Sequence, residues 1–163
     1  MVVSLEFTST FEMLDFVQVV SDHVGQTLGL DDDTQHYVGV AIRECVINAI
    51  MHGNHSDSSK HVFVEFSTAS SPGRSGKPDK RGKPGELGKP GKNLKDVGSV
   101  LTIRVRDQGE GFDPDSLADP LAPENLLKAS GRGIFLIRSF MDDVQLRSAP
   151  EGGMEVRMIK RLP

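Results

Sequence analysis

The sequence predicts an α+β fold, a two-layer α/β sandwich whose mostly antiparallel mixed sheet carries its helices on one face. Three observations predict it. Short segments alternate polar and apolar residues, longer segments place apolar residues at helical spacing, and neighbouring strand segments are joined by turns rather than by helical crossovers. The 163 residues, 37% hydrophobic and 26% charged, suit a single domain spanning 1–163.

Val3, Leu5 and Phe7 alternate with polar neighbours and mark a first strand. Ser9 and Glu12 have the spacing of a helix capping box, and Met13, Val17, Val20, Val24 and Leu28 form one helical stripe that stops before Gly29. After Asp31, Asp32 and Asp33 a second amphipathic pattern runs through Val38, Ala41, Ile42, Cys45, Val46, Ala49 and Ile50 and ends near Gly53. Val62, Val64 and Phe66 make one further strand, and Leu101, Ile103 and Val105 another. Ile134, Phe135, Ile137, Arg138 and Met141 fit a third helix, opened by Ser130 to Gly133. Val144 to Ser148 and Met154 to Leu162 close the chain as a hairpin across a Pro150 to Gly153 turn. The expected order is β-α-α-β-β-α-β-β.

Residues 71–98 stand apart. They carry a net charge of +5 against −9 for the rest of the chain, with seven Gly and four Pro, and Gly-Lys-Pro occurs three times on a three-residue glycine register that Asp79 interrupts. Such a stretch buries too little apolar surface to offset its conformational entropy, and a long excursion between two paired strands adds little closure cost. The expectation is a flexible surface insertion. So short and interrupted a glycine repeat does not argue for a collagen triple helix.

Composition excludes several classes. No apolar run reaches the roughly 20 residues that cross a bilayer, and no export signal opens the sequence, so a cytoplasmic protein without membrane partners is expected. Cys45 is the single cysteine, which rules out an intrachain disulfide. With Tyr37 the only tyrosine and no Trp, no aromatic-rich basic face suggests direct nucleic-acid binding. P-loop, dinucleotide-fold, eukaryotic-type protein kinase and zinc-protease signatures are all missing.

Three clusters break the amphipathic grammar. Within Arg43 to Asn54, Glu44, Asn48 and His52 are spaced i, i+4, i+8 beside the apolar face of the second helix. A carboxylate, a carboxamide and an imidazole so aligned can serve a metal and a phosphate, or can be three satisfied boundary residues. Arg106-Asp107-Gln108-Gly109-Glu110-Gly111 follows a strand, where Asp107 can accept hydrogen bonds from an amino group while the glycines admit a ligand close to the main chain; a tight turn with an Asp cap reads equally well. Ser130-Gly131-Arg132-Gly133-Ile134 opens a helix, where exposed N–H groups suit phosphate, although a plain helix start also explains it.

Taken in order, Glu-x-x-x-Asn-Ala, Asp-x-Gly-x-Gly and Gly-x-Gly resemble the GHKL, or histidine kinase-like, ATPase superfamily and its Bergerat fold. More narrowly, Arg43-Glu44 through His52-Gly53, Arg106 to Gly111, and Ser130 to Gly133 running into Ser139 to Val144 resemble the bacterial anti-sigma-factor serine/threonine kinases. The resemblance implies ATP and Mg2+ as cofactors. It makes Asn48 the metal ligand and Glu44 the general base for an acceptor hydroxyl, as phosphoryl transfer by positioning and charge neutralisation requires. It makes Asp107 the acceptor for the adenine amino group, with Gly109 and Gly111 letting the base lie against the loop. Gly131 and Gly133 take the phosphate side, and His52, Arg132 and Ile134 join the nucleotide-binding set. Leu117 to Ala129 matches the flexible lid. Where relatives often carry Gly-Thr before the last strand, this chain has Gly153-Met154.

The resemblance also implies partners: a sigma factor and an anti-sigma-factor antagonist of the STAS type, phosphorylated on Ser or Thr, with ATP choosing between them by differential binding, and a homodimer. A histidine kinase would need a dimerising helical hairpin, for which the residues before the second helix leave no room. A non-catalytic, ATP-sensing module that sequesters a partner is the alternative reading.

Overall fold

The computed structural model describes residues 1–70, 99–111 and 129–163. Its elements run β1 (Val2–Thr8), α1 (Met13–Thr27), α2 (Asp32–Asn48), a π-helical turn (Ala49–Gly53), β2 (His61–Ser70), β3 (Ser99–Arg106), α3 (Ala129–Phe140), β4 (Asp143–Ser148) and β5 (Met154–Arg161). The expected insertion at 71–98 lies outside the described residues. So does the expected lid, apart from Ala129, which begins α3.

The strands form one sheet in the order β1-β2-β3-β5-β4, and every described pairing is antiparallel. Alternation decides which face is covered. Phe7, Val62, Val64, Phe66, Leu101, Ile103, Val105 and Met158 are buried on one side, and register places Phe66 opposite Ile103 and Ile103 opposite Met158. Against them pack Val17 and Val24 of α1, Ile42, Cys45 and Val46 of α2, and Ile137 of α3. Each fully buried aliphatic side chain contributes about 1.5–3 kcal/mol. Helix α2 packs against both α1 and α3 and reaches β3. This central position puts its polar stripe next to α3.

The opposite face carries charge. Arg104 pairs with Glu65 at 3.7 Å, Arg106 with Glu151 at 3.3 Å, and the Arg106 guanidinium lies 4.0 Å above the centre of the Phe63 ring. Arg104 and Arg157 are register partners on this face, and the buried Nε of each bonds none of the described residues. A groove of about 410 Å³ lined by Glu6, Phe63, Glu65, Arg104 and Arg106 lies here, on the side of the sheet away from the helices.

Helix ends follow local chemistry, with one departure from expectation. Asp31 caps α2, its carboxylate accepting the Thr34 N–H at 2.9 Å and the Thr34 hydroxyl at 2.7 Å, while Asp32 and Asp33 in the first turn complement the helix dipole. Helix α1 ends at a left-handed Gly29, beyond which the Leu30 N–H reaches back to Gly25 O at 3.1 Å. The capping box expected from Ser9 and Glu12 is not made. The chain enters α1 through backbone bonds from Met13 to Thr10 and from Leu14 to Phe11, so Ser9 stays at the end of β1 with its N–H on Lys60 O and its buried hydroxyl without a partner among the described residues.

Candidate functional site

Two groups of residues lie along the C-terminal half of α2 and the π-turn that follows it. The first is formed with α3. A Cβ at Gly133 would lie 3.1 Å from Asn48 Nδ2 and 3.1 Å from Glu44 Oε2, so the missing side chain lets α3 settle directly over these two polar groups. Glu44 and Asn48 are half-buried, one helical turn apart, and neither bonds another described residue through its side chain. Their oxygens are hard donors of the kind Mg2+ takes.

The glycine-rich cluster opens α3, as expected from its place in the sequence: Gly131, Arg132 and Gly133 belong to the first turns of the helix, which begins at Ala129. Packing against α2 outweighs the roughly 1 kcal/mol by which each glycine disfavours a helix. Ile134, next along, is half-buried against the core.

The second group surrounds Asp107, which is only 4% exposed. The β3–β5 ladder continues one step past β3, the Asp107 N–H donating to Met154 O at 3.1 Å. Asp107 Oδ1 accepts the Gly109 N–H at 2.9 Å and the Met154 N–H at 3.1 Å, and Oδ2 bonds none of the described residues. Gly53 and Gly153 wall this carboxylate so closely that a Cβ at either would run into Asp107, and a Cβ at Gly109 would run into the Gly53 carbonyl. The cradle is built from backbone, with the main chain of Gly53 and Gly153 lying directly against the carboxylate. Gly111, at φ +75°, turns the chain beside Gly153.

The two groups are joined by the π-turn. It follows α2 without a break, and its wider winding carries His52 off the straight i, i+4, i+8 stripe. His52 is exposed there, whereas Gly53 arrives against Asp107. After the turn, His55 and Ser56 both adopt left-handed conformations, at φ 55° and 57°, and the Ser56 N–H closes onto Ile50 O at 2.7 Å.

The structure thus brings Glu44, Asn48 and Gly133 together, and separately Asp107, Gly109 and Gly111. Sequence reasoning noted Gly153 in the hairpin turn and at the place of the relatives' Gly-Thr pair but gave it no site role, and it missed Asn54, which is fully buried. Paired glycines at 152 and 153, both with positive φ, were the available signal for the first; a polar residue directly after Gly53 was a faint one for the second. The contact from position 154 is a backbone N–H, so Met in place of Thr leaves it intact.

Other described groups are structural. Burial, and after it the charge of Glu44, pushes the Cys45 thiol well above its ordinary range, and its Sγ lies 3.5 Å from Met158 Sδ. Among the described residues no cluster of three or more His, Cys, Asp or Glu side chains could hold a metal, and no helix is long and apolar enough to cross a membrane.

Known proteins similar to this chain point to its family. The family model of the histidine kinase-like ATPase domain matches residues 7–160. The anti-sigma F factor of Oceanobacillus iheyensis is 30% identical over 163 residues, covering 98% of this chain and 91% of that protein. Those of Bacillus subtilis and Clostridium perfringens are each 27% identical, covering 97% of this chain and 90% and 94% of their own lengths. A family match over nearly the whole length, with relatives of almost equal extent, places the chain in the histidine kinase-like ATPase domain family.

Proposed function

We propose that this chain is an anti-sigma regulatory factor that binds ATP with Mg2+ and transfers a phosphoryl group to a Ser or Thr of a STAS-type antagonist, so that nucleotide and antagonist together control a sigma factor by partner switching. The observation that carries the reading is the span of α2 and its π-turn, which sets Glu44 and Asn48 at one end and Gly53 against Asp107 at the other. In this reading Asp107 Oδ2 accepts the adenine amino group within the glycine cradle. Asn48 holds Mg2+, which neutralises phosphate charge when bound. Glu44 orients and deprotonates the acceptor hydroxyl. Gly109, Gly111, Gly131, Arg132, Gly133 and Ile134 line the nucleotide, and His52, exposed on the π-turn, approaches it from solvent. The names of the relatives support the anti-sigma role. A single-domain chain, a cytoplasmic location and a homodimer belong to the same reading.

The test is incubation of the purified chain with labelled ATP, Mg2+ and antagonist proteins co-purified from the native cell. Label on a Ser or Thr of the antagonist, abolished by chelation of the metal, is expected. Stable complexes without label would replace the kinase with the non-catalytic sequestering module. Sedimentation of the free chain reads the homodimer.

A further inference from the structure

Asn54 is 0% exposed, yet its bonds leave in three directions. Its N–H donates to Ala49 O at 2.8 Å, within the π-turn. Its carboxamide donates to the His61 carbonyl at 2.9 Å, at the first residue of β2, and accepts the Gln108 N–H at 2.8 Å, one residue past Asp107. Gln108 returns the link, its side-chain oxygen accepting the His61 N–H at 2.7 Å. Two carboxamides and the main chain of His61 and Gln108 therefore close a ring.

The position of this ring in the sheet gives it meaning. The last registered pair of β2 and β3 is Phe63 with Arg106. Continued regularly, the register would set Val62 opposite Asp107 and His61 opposite Gln108, with a direct bond between the last two. Instead the Asn54 carboxamide stands between the Gln108 N–H and the His61 carbonyl as an inserted amide. The strands are held one amide apart, and Asp107 sits where they diverge. Its upstream side is fixed by the bond to Met154 O and its downstream side by Asn54.

We propose that Asn54, with Gln108, is a positioning pair for purine recognition: their carboxamides wedge β2 from β3 and fix the direction in which Asp107 Oδ2 points. This rests on the nucleotide reading above and adds residues that act through Asp107 without touching the base. A pair that aims a carboxylate governs discrimination between purines, whereas a merely structural pair governs affinity for all of them alike.

The experiment compares, by titration calorimetry on the full chain, affinity for ATP with affinity for purine riboside triphosphate, which lacks the exocyclic amine. The unaltered chain is expected to prefer ATP by about tenfold or more, the worth of a hydrogen bond to a charged acceptor. Asn54→Ala should bring the ratio to within about twofold of unity, and Gln108→Ala, at an exposed side chain, should lower it about threefold while melting near the unaltered chain. An unchanged ratio in both variants, even with weaker binding of both nucleotides, overturns the positioning role and leaves the nucleotide reading standing. Should Asn54→Ala fail to fold, Gln108→Ala decides alone, an unchanged ratio overturning the proposal. No binding of ATP by the unaltered chain overturns both.

Discussion

Gly53 stands against the carboxylate of Asp107 at a separation that no side chain would permit, since a Cβ there would overlap both the carboxyl carbon and Oδ2. The main chain of one motif is thus the wall of the other. Spacing alone did not reveal this, because the two lie 54 positions apart in the chain.

Asp107→Asn is expected to keep an oxygen for the Gly109 and Met154 N–H groups and to turn an NH2 toward the ligand. ATP binding should weaken by about 1.5–3 kcal/mol, the range for a hydrogen bond to a charged group. Titration calorimetry checks it, and an unchanged Kd would remove Asp107 from recognition.

Glu44→Gln retains shape and removes the base. Phosphoryl transfer to the antagonist should fall by about 10²–10⁴-fold while ATP affinity stays within about twofold. Single-turnover transfer measured beside calorimetry separates the two quantities, and retained transfer would exclude Glu44 from the mechanism.

Gly133→Ala opposes two effects. Alanine favours the helix by about 1 kcal/mol, while its methyl, 3.1 Å from Asn48 and Glu44, forces α3 away by a few tenths of an ångström. Stability should change by less than about 1 kcal/mol because these terms oppose, whereas transfer, which depends on placement, should drop about tenfold. A melting curve and a rate measurement on the same sample test both halves.

Much of the fold was legible because period does not depend on tertiary context: alternation at Val3, Leu5 and Phe7, and the stripe from Val38 to Ile50, mark strand and helix wherever they pack. What was not legible depends on contacts between distant segments. Ser9 and Glu12 spell a cap, but where α1 starts is set by the Thr10–Leu14 turn and by the Lys60 carbonyl. Gly133 spells a helix start, but its closeness to Glu44 and Asn48 shows only once α2 is seen beneath it. The π-turn rests on bonds such as Asn54 N–H to Ala49 O, which leave no periodic trace. In the candidate site, residue types were readable from motif order, whereas the inserted carboxamide of Asn54 needed the divergence of β2 and β3.

Asp31 gives a pH dependence. The backbone N–H of Thr34, and then its hydroxyl, hold the Asp31 carboxyl below its ordinary value. A depressed folded-state pKa means stabilisation that is complete above the unfolded value and is lost as pH falls through the folded one. Asp31→Asn, which can still cap, should therefore lose less melting temperature than the unaltered chain between neutral pH and about pH 3. Equal losses would contradict the assignment.

Cys45 should be silent. A buried thiol held protonated cannot attack, so a thiol reagent should leave the native chain unlabelled over the period in which denatured chain takes up one equivalent per molecule. Labelling of native protein at the denatured rate would contradict its burial.

Ser70 and Ser99 are cross-strand partners at one end of the β2–β3 ladder. Chain leaving one returns beside it, at the end of the ladder away from Asp107, whatever the length between them. Replacing the intervening segment with a two-residue reverse turn, or with a fluorescent reporter whose own termini lie close together, should therefore be tolerated, which offers an attachment point for following complex formation in living cells without disturbing the helices.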